Sequence, residues 1–227
     1  MRIGCVLSGI LLAAIVVQAG DREPVPPVTQ LCRVDKLISA ERFDREASFV
    51  RKGQGGTDGW RGGIGEWSIL DGAAFAKQEG PSERRPNGHE AVCEYIADLG
   101  DLVLTGEFRL GTSPQVGFVC RDTNQPNHHL GRVVITPQAV WIQKMSGIAK
   151  ETRREELKRI SVDIKPDVWH RIVIEVCGNR WLARIDNHVI EATHERFLDR
   201  KGRVGMVARG EGAQFRNLAL WSAVPMP

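Results

Sequence analysis

The sequence predicts an all-β protein, a single domain built as an antiparallel β-sandwich. From Glu66 onward, short apolar runs alternate with turn residues at intervals of about 8–12 residues, and no long stretch keeps a helical period. The 24 Gly and 11 Pro are dispersed along the chain, which disfavours a helical bundle. With 227 residues, of which 42% are hydrophobic, the chain is long enough to bury one sizeable core.

The first 19 residues have the pattern of a secretory signal peptide. Arg2 precedes an apolar stretch from Ile3 to Val17, and a small-residue cleavage pattern ends at Ala19. The stretch of roughly 15 residues is shorter than the roughly 20 that span a bilayer, and no later segment is apolar enough to do so. An uncleaved anchor is the alternative interpretation. We therefore expect a secreted or periplasmic protein that starts near Gly20, with no membrane span in the mature chain.

The rest of the chain divides into a linker, one domain and a short tail. Residues 20–36 are predicted to be a proline-rich linker, because residues 21–30 contain three prolines and no periodic apolar face. Residues 37–223 are predicted to form the sandwich, and residues 224–227 a tail. No internal repeat is evident.

Short alternating segments in the domain predict its strands. They lie near residues 66–70, 73–77, 89–98, 101–110, 115–121, 130–136, 139–144, 158–164, 168–177, 180–186, 188–192, 203–209 and 213–222. Three residue pairs of the kind that accepts positive φ predict tight hairpin turns: Asp71-Gly72, Gly178-Asn179 and Asp186-Asn187.

The strand at 101–110 separates an apolar face from a polar one, because alternate side chains of a strand point the same way. Its predicted core side chains are Leu102, Leu104, Phe108 and Leu110. If residues 89–98, 101–110 and 115–121 form a meander, six polar side chains share the other face: Glu90, Glu94, Glu107, Arg109, Gln115 and Arg121. The outer face of any antiparallel sheet is polar, so solubility alone is an alternative explanation of this patch.

Several short motifs resemble the 3-keto-disaccharide hydrolase-like family. Residues 99–110 (LGDLVLTGEFRL) and 116–121 (VGFVCR) are similar to its "DFEL-x-x-EFR … SGI-x-x-R" core. Further similarities are WHRIVI with GNR at 169–174 and 178–180 to "W-N-x-x-x-I … G-N-x-I", QFRNL at 214–218 to "x-F-R-N-I", and GEWSILDGA at 65–73 to "W-x-V-x-D-G".

The resemblance covers roughly residues 37–223 and implies the concanavalin-A-like lectin/glucanase fold, a jelly roll, with activity on 3-keto-disaccharides or related glycosides. The chain also departs from the family. Pro114-Gln115 stands where an Asn-Ser is expected, and residues 204–209 lack the expected histidine. The E-x-D-x-x-E spacing of glucanases is absent from the sequence. Glu94 and Glu107, the one carboxylate pair predicted on adjacent strands, remain as candidate catalytic residues.

Sugars are bound by bidentate polar groups together with an aromatic plate, and these chemical types define the candidate ligand-binding residues. They are Trp60, Glu107, Arg109, Gln115 and Arg121. Trp60 lies in a glycine-rich segment that is predicted to be a loop. Trp141 is equally compatible with the core and with the surface. His128 and His129 are consecutive and point to opposite faces of a strand, so they predict no metal site. The sequence leaves the cofactor and any dependence on a metal open.

The net charge of the chain bears on the class of ligand that it binds. The 31 Lys+Arg and 28 Asp+Glu give a net charge of +3 spread along the chain, which does not indicate nucleic-acid binding.

Beyond Cys5, the cysteines show no C-x-x-C spacing: Cys32, Cys93, Cys120 and Cys177. An intervening strand is predicted to prevent a Cys93–Cys120 disulfide. Other pairings and free thiols both remain open.

Three functions are compatible with the sequence. The first is a carbohydrate-recognition domain that binds a saccharide or polysaccharide on a charged sheet face. The second is a hydrolase or lyase acting on 3-keto-disaccharides, as the family resemblance implies. The third is a secreted structural or adhesive domain. The sequence leaves the sugar and the oligomeric state open.

Overall fold

The computed structural model describes residues 23–49, 59–123 and 128–226. The predicted signal peptide lies outside these ranges. Within them the strands are β1 (Cys32–Glu41), β2 (Trp60–Ile64), β3 (Glu66–Leu70), β4 (Ala73–Lys77), β5 (Ala91–Leu99), β6 (Asp101–Arg109), β7 (Gln115–Asp122), β8 (His129–Ile135), β9 (Ala139–Ser146), β10 (Arg153–Ser161), β11 (His170–Cys177), β12 (Arg180–Ile185), β13 (His188–Thr193), β14 (Lys201–Arg209) and β15 (Glu211–Pro225). Short 3-10 helices span Glu46–Ser48, Ala149–Glu151 and Glu195–Leu198.

The strands form two antiparallel sheets that pack face to face. The eight-stranded sheet has the order β13-β12-β11-β6-β15-β4-β3, with β1 also paired to β15. The seven-stranded sheet has the order β10-β9-β8-β7-β14-β5-β2. The predicted β-sandwich is confirmed. Within the described ranges, no helix is long and apolar enough to cross a membrane.

The core lies between the sheets and contains the residues that alternation assigned to it. Leu102, Leu104, Phe108 and Leu110 are all essentially inaccessible to solvent. Aromatic rings connect the two sheets across the core. The ring of Phe118 from β7 packs 6.3 Å from Phe108 and 5.9 Å from Phe215, measured between centroids. Edge-to-face contacts at these distances are favourable, so this group fixes the relative position of the sheets.

The three predicted hairpin turns are confirmed. Asp71 and Gly72, with φ of 53° and 68°, connect β3 to β4 and leave Leu70 opposite Ala73. The turns at residues 178–179 and 186–187 connect β11 to β12 and β12 to β13 in the same two-residue form. Positive φ lets such short turns follow the natural twist of the strands.

The sandwich begins before the predicted boundary at residue 37. Strand β1 starts at Cys32, which pairs with Pro225 of β15, so residues assigned to the linker and to the tail belong to the eight-stranded sheet. The carboxylate of Glu175, fully buried on β11, accepts the backbone N–H groups of Gln30 at 2.9 Å, Leu31 at 2.7 Å and Cys32 at 3.3 Å. These bonds hold the entry to β1 against the outer side of that sheet.

The predicted meander of the central strands is wrong. Strand β5 pairs with β14 and β2 in the seven-stranded sheet, whereas β6 pairs with β11 and β15 in the other sheet. The connection at Gly100 therefore leads the chain from one sheet to the other and does not close a hairpin. Side-chain alternation is the same in both arrangements, so it could not distinguish them.

Candidate functional site

The separation of β5 from β6 divides the predicted polar patch between the two outer surfaces of the sandwich. Glu90, Glu94, Gln115 and Arg121 lie with the seven-stranded sheet, and Glu107 and Arg109 lie on β6 of the eight-stranded sheet. The outer side of the seven-stranded sheet carries a set of charged side chains that we call the arginine face. It comprises Arg61, Glu90, Glu94, Arg121, Arg132, Arg154, Arg203 and Arg209.

Glu94 organises one half of the arginine face. Its neighbour Cys93 points into the core, so Glu94 points outward. Arg121 of β7 donates from Nε to Glu94 Oε1, and Arg203 Nη1 lies 3.5 Å from Glu94 Oε2. The side chains of Glu94 and Arg121 are only 12% and 11% exposed. An ion pair this well covered is held in one geometry and presents a fixed array of polar atoms.

Glu90 contacts the arginines of the other half of the arginine face. Arg132 Nη1 donates to both carboxylate oxygens of Glu90, at 2.8 and 3.1 Å, and Arg209 Nε lies 3.9 Å from Glu90 Oε2. Burial lowers the pKa of Arg132, and the contact with Glu90 opposes that shift. The Nε atom of Arg132 is buried without a hydrogen-bond partner. The guanidinium thus keeps an unused donor inside the face.

A neutral histidine lies among these arginines. Burial, followed by repulsion from Arg121, Arg132 and Arg154, lowers the pKa of His129 to about 3. Its Nε2 atom lies 3.5 Å from Arg121 Nη1. At neutral pH the ring therefore adds no charge of its own to the arginine face.

An aromatic side chain lies farther along the same sheet. On β9, Val140 and Ile142 are buried in the core, so Trp141 points outward and is half-buried. The Arg159 guanidinium lies 4.1 Å from the centroid of the Trp141 ring. Trp141 Nε1 donates to Gln143 Oε1 at 3.0 Å. The sequence allowed Trp141 in either place, and the structure puts it on the surface.

The outer side of the eight-stranded sheet has its own smaller cluster. Arg216 Nε donates to Glu107 Oε2 at 2.6 Å and its guanidinium lies 4.0 Å from the ring centroid of Trp169. Arg109 lies 5.3 Å from the same centroid and donates to Gln214. Glu107 and Arg109 therefore stay together, but on the opposite surface from Glu94, Gln115 and Arg121.

Two predictions about site residues are wrong. Trp60 is not in a loop: it begins β2 and is buried, with its ring 5.8 Å from those of Phe43 and Tyr95. It cannot stack on a ligand. Glu94 and Glu107 lie on opposite outer surfaces of sheets that pack about 10 Å apart, so they cannot act as a catalytic pair.

Several residues of the arginine face were not found from the sequence. Arg203 and Arg209 occur in a predicted strand and alternate there with Val204, Met206 and Ala208, so alternation predicts that their side chains point outward. The strands adjacent to these residues could not be predicted, because β14 lies between β5 and β7 although it follows them by about 80 residues or more along the chain. This insertion also keeps Cys93 and Cys120 on non-adjacent strands, and all four described cysteines are free thiols.

No protein-family model matches the chain, and no curated protein matches it. Two solved structures share its architecture. The carbohydrate binding module CBM66 from Bacillus subtilis superimposes with a TM-score of 0.57 at 13% identity, covering 77% of this chain and 99% of that one. Bacillus licheniformis beta-glucanase gives a TM-score of 0.55 at 10% identity, covering 84% and 99%. The fold is a concanavalin-A-like jelly roll. Identities this low establish the fold alone.

The arginine face presents fixed polar groups that can contact a ligand. Within residues 23–49, 59–123 and 128–226, no three His, Cys, Asp or Glu side chains are grouped so that they could hold a metal ion. The arginine face does offer guanidinium donors, carboxylate acceptors and a half-buried tryptophan on one sheet. This is the combination with which proteins hold polar, ring-shaped ligands.

Proposed function

We propose that this protein is a saccharide-binding domain whose sugar lies across the arginine face. The observation that carries the proposal is the pair of carboxylate–guanidinium units, Glu94 with Arg121 and Glu90 with Arg132, on the same sheet surface as Trp141. A carbohydrate binding module of the same fold supports this class of ligand.

The physical basis is complementarity with sugar hydroxyl groups. Each hydroxyl both donates and accepts hydrogen bonds, so an adjacent carboxylate and guanidinium satisfy it from two sides. Trp141, together with the Arg159 guanidinium that lies over its ring, adds a flat surface that can contact a sugar ring. Because Glu90 and Glu94 are already held by arginines, little conformational entropy is lost when a ligand binds.

The hydrolase alternative has weaker structural support. Glycoside hydrolysis commonly uses two carboxyl groups about 5 to 10 Å apart across the scissile bond. The predicted pair, Glu94 and Glu107, is divided between the two sheets. The resemblance to the 3-keto-disaccharide hydrolase-like family rests on short motifs, and an assay with a 3-keto-glycoside tests it directly.

The two surface tryptophans provide a matched experiment. Trp141 and Trp169 are both half-buried and both lie under an arginine, at 4.1 and 4.0 Å, but on opposite surfaces of the sandwich. A glycan array with the wild-type domain identifies a ligand, and titration calorimetry then compares Trp141→Ala with Trp169→Ala. We expect Trp141→Ala to weaken binding by about tenfold or more and Trp169→Ala to retain wild-type affinity.

Three results would contradict the proposal. A greater loss in Trp169→Ala would place the ligand on the eight-stranded sheet. Absence of binding across the array would exclude a saccharide ligand. Turnover of a 3-keto-glycoside that survives Trp141→Ala would favour an enzyme with its site elsewhere. Thermal melting of both variants shows whether each remains folded.

A further inference from the structure

We infer that the saccharide bound by the arginine face is anionic, a uronate oligosaccharide whose carboxylates are held by arginines at both ends of β14. This inference rests on the proposed function and narrows its ligand. It follows from the net charge of the arginine face, from the arginines whose donors face solvent and from the spacing of those arginines.

The arginine face is far more positive than the chain as a whole. It holds six arginines and two glutamates, an excess of four positive charges, whereas all 227 residues together carry +3. Two neighbouring ion pairs, Arg159 with Glu156 at 2.5 Å and Arg200 with Asp98 at 2.7 Å, add no net charge. A local excess of one sign attracts ligands of the other sign.

The two carboxylates of the face do not neutralise it. Arg121 and Arg132 make the close contacts with Glu94 and Glu90. Arg203 and Arg209 stand farther off, at 3.5 and 3.9 Å from the same carboxylates, with side chains 32% and 55% exposed. Their guanidinium groups therefore have donors that face solvent and can meet a ligand carboxylate in the bidentate geometry that arginine favours.

His129 lies inside this positively charged surface. The ring contacts Arg121 and responds to Arg132 on its own strand and to Arg154 on β10. All three arginines disfavour its protonation. A ligand carboxylate placed over the same side chains would experience the same field with the opposite sign, and would be stabilised.

The spacing of the available arginines indicates an oligosaccharide. Arg203 and Arg209 are six residues apart on β14 and point to the same side, which corresponds to about 20 Å along the strand. The glutamates that these two side chains approach, Glu94 and Glu90, are four residues apart, about 13 Å along the chain, which is longer than one sugar ring. A chain with a carboxylate on each ring presents charges at regular intervals along this distance.

Galacturonate oligomers and their methyl esters test the inference, because esterification removes the charge and keeps the ring. Titration calorimetry compares both with oligomers of mannuronate and glucuronate, dextran sulfate and single-stranded DNA. We expect at least one uronate oligomer to bind about tenfold or more tightly than the galacturonate methyl ester. We expect the double variant Arg203→Gln/Arg209→Gln to remove that preference and to weaken the dependence on salt.

A matched double variant on the other sheet serves as control. Arg171→Gln/Arg216→Gln also removes two exposed arginines, which lie beside Glu107, and should retain the preference for the uronate. Equal affinity for uronate and neutral oligomers, or a preference unchanged in Arg203→Gln/Arg209→Gln, would overturn the inference. Binding of dextran sulfate or DNA as tightly as any uronate would overturn the ligand class.

The inference and the proposed function fail in different ways. If a neutral glycan binds and Trp141→Ala abolishes that binding, but no uronate is preferred, only the anionic ligand is excluded. If no glycan of either kind binds, the proposed function is excluded as well.

Discussion

Glu94 of β5 and Arg121 of β7 form an ion pair across β14, the strand that lies between theirs, and Gly205 of β14 lies directly beside Glu94. The absence of a side chain at Gly205 makes the contact possible. A Cβ atom there would lie 2.6 Å from Glu94 Cγ and 2.5 Å from the carbonyl oxygen of Cys93. The central strand of this sheet is thus shaped to let charges from its two neighbours meet above it.

Replacing Gly205 by alanine should damage both stability and the site. Because one of the clashing atoms belongs to the backbone of β5, the strands must shift, and such overpacking costs about 1–3 kcal/mol. Thermal denaturation measures the loss. Gly80→Ala is the control, because a Cβ atom at Gly80 meets nothing within 4 Å. Equal stability of the two variants would show that β14 is not closely confined at Gly205.

The neutral state of His129 should make stability depend on pH. Because burial and arginines lower its pKa from 6.5 to about 3, the unfolded chain binds this proton more readily than the native one. The contribution is therefore fully present above pH 6.5 and is lost as the pH falls toward 3, by about 1.4 kcal/mol per pH unit. The stability difference between wild type and His129→Asn, measured by urea denaturation, should change across this window. A constant difference would contradict a neutral His129.

The carboxylate of Glu175 should anchor the start of β1. Glu175→Gln exchanges one carboxylate oxygen for an amide that cannot accept from the N–H groups of Leu31 or Cys32, a loss of about 1.5–3 kcal/mol. We expect a lower melting temperature and faster proteolysis near residue 31. Glu191→Gln, which removes only the surface partner of Arg180, should change stability by about 1 kcal/mol or less. Similar losses in both variants would argue against an anchor at Glu175.

Core and surface substitutions on β6 should separate stability from binding. Leu104→Ala opens a cavity between the sheets and should cost about 2–5 kcal/mol. Glu107→Gln weakens the contact with Arg216 on the eight-stranded surface and should leave both stability and binding to the arginine face nearly unchanged. Calorimetric titration and melting of both proteins measure these effects. Reduced glycan affinity in a folded Glu107→Gln protein would place the ligand on the eight-stranded sheet and contradict binding at the arginine face.

Local patterns in the sequence predicted most of the strands and which side of each strand faces the core. The two-residue period of strands is visible in a few consecutive side chains, so the burial of Leu104 and Phe108 could be predicted before any strand partner was known. Turn chemistry was equally local, since Asp71-Gly72 needs only its own φ preference to form a hairpin. Strands β1 and β2 were missed, because prolines precede one and glycines surround the other.

Which strands are neighbours, and therefore which charged side chains make contact, depends on the tertiary structure. A strand with one apolar side packs equally well in either sheet, so alternation could not tell that β6 leaves the sheet of β5 or that β14 enters between β5 and β7. Glu94 therefore contacts Arg121 and Arg203 and lies on the opposite surface from Glu107. Trp60 is buried in the core, and Trp141 lies on the surface. Such contacts depend on the cooperative packing of segments far apart in the chain, and no short stretch of sequence encodes them.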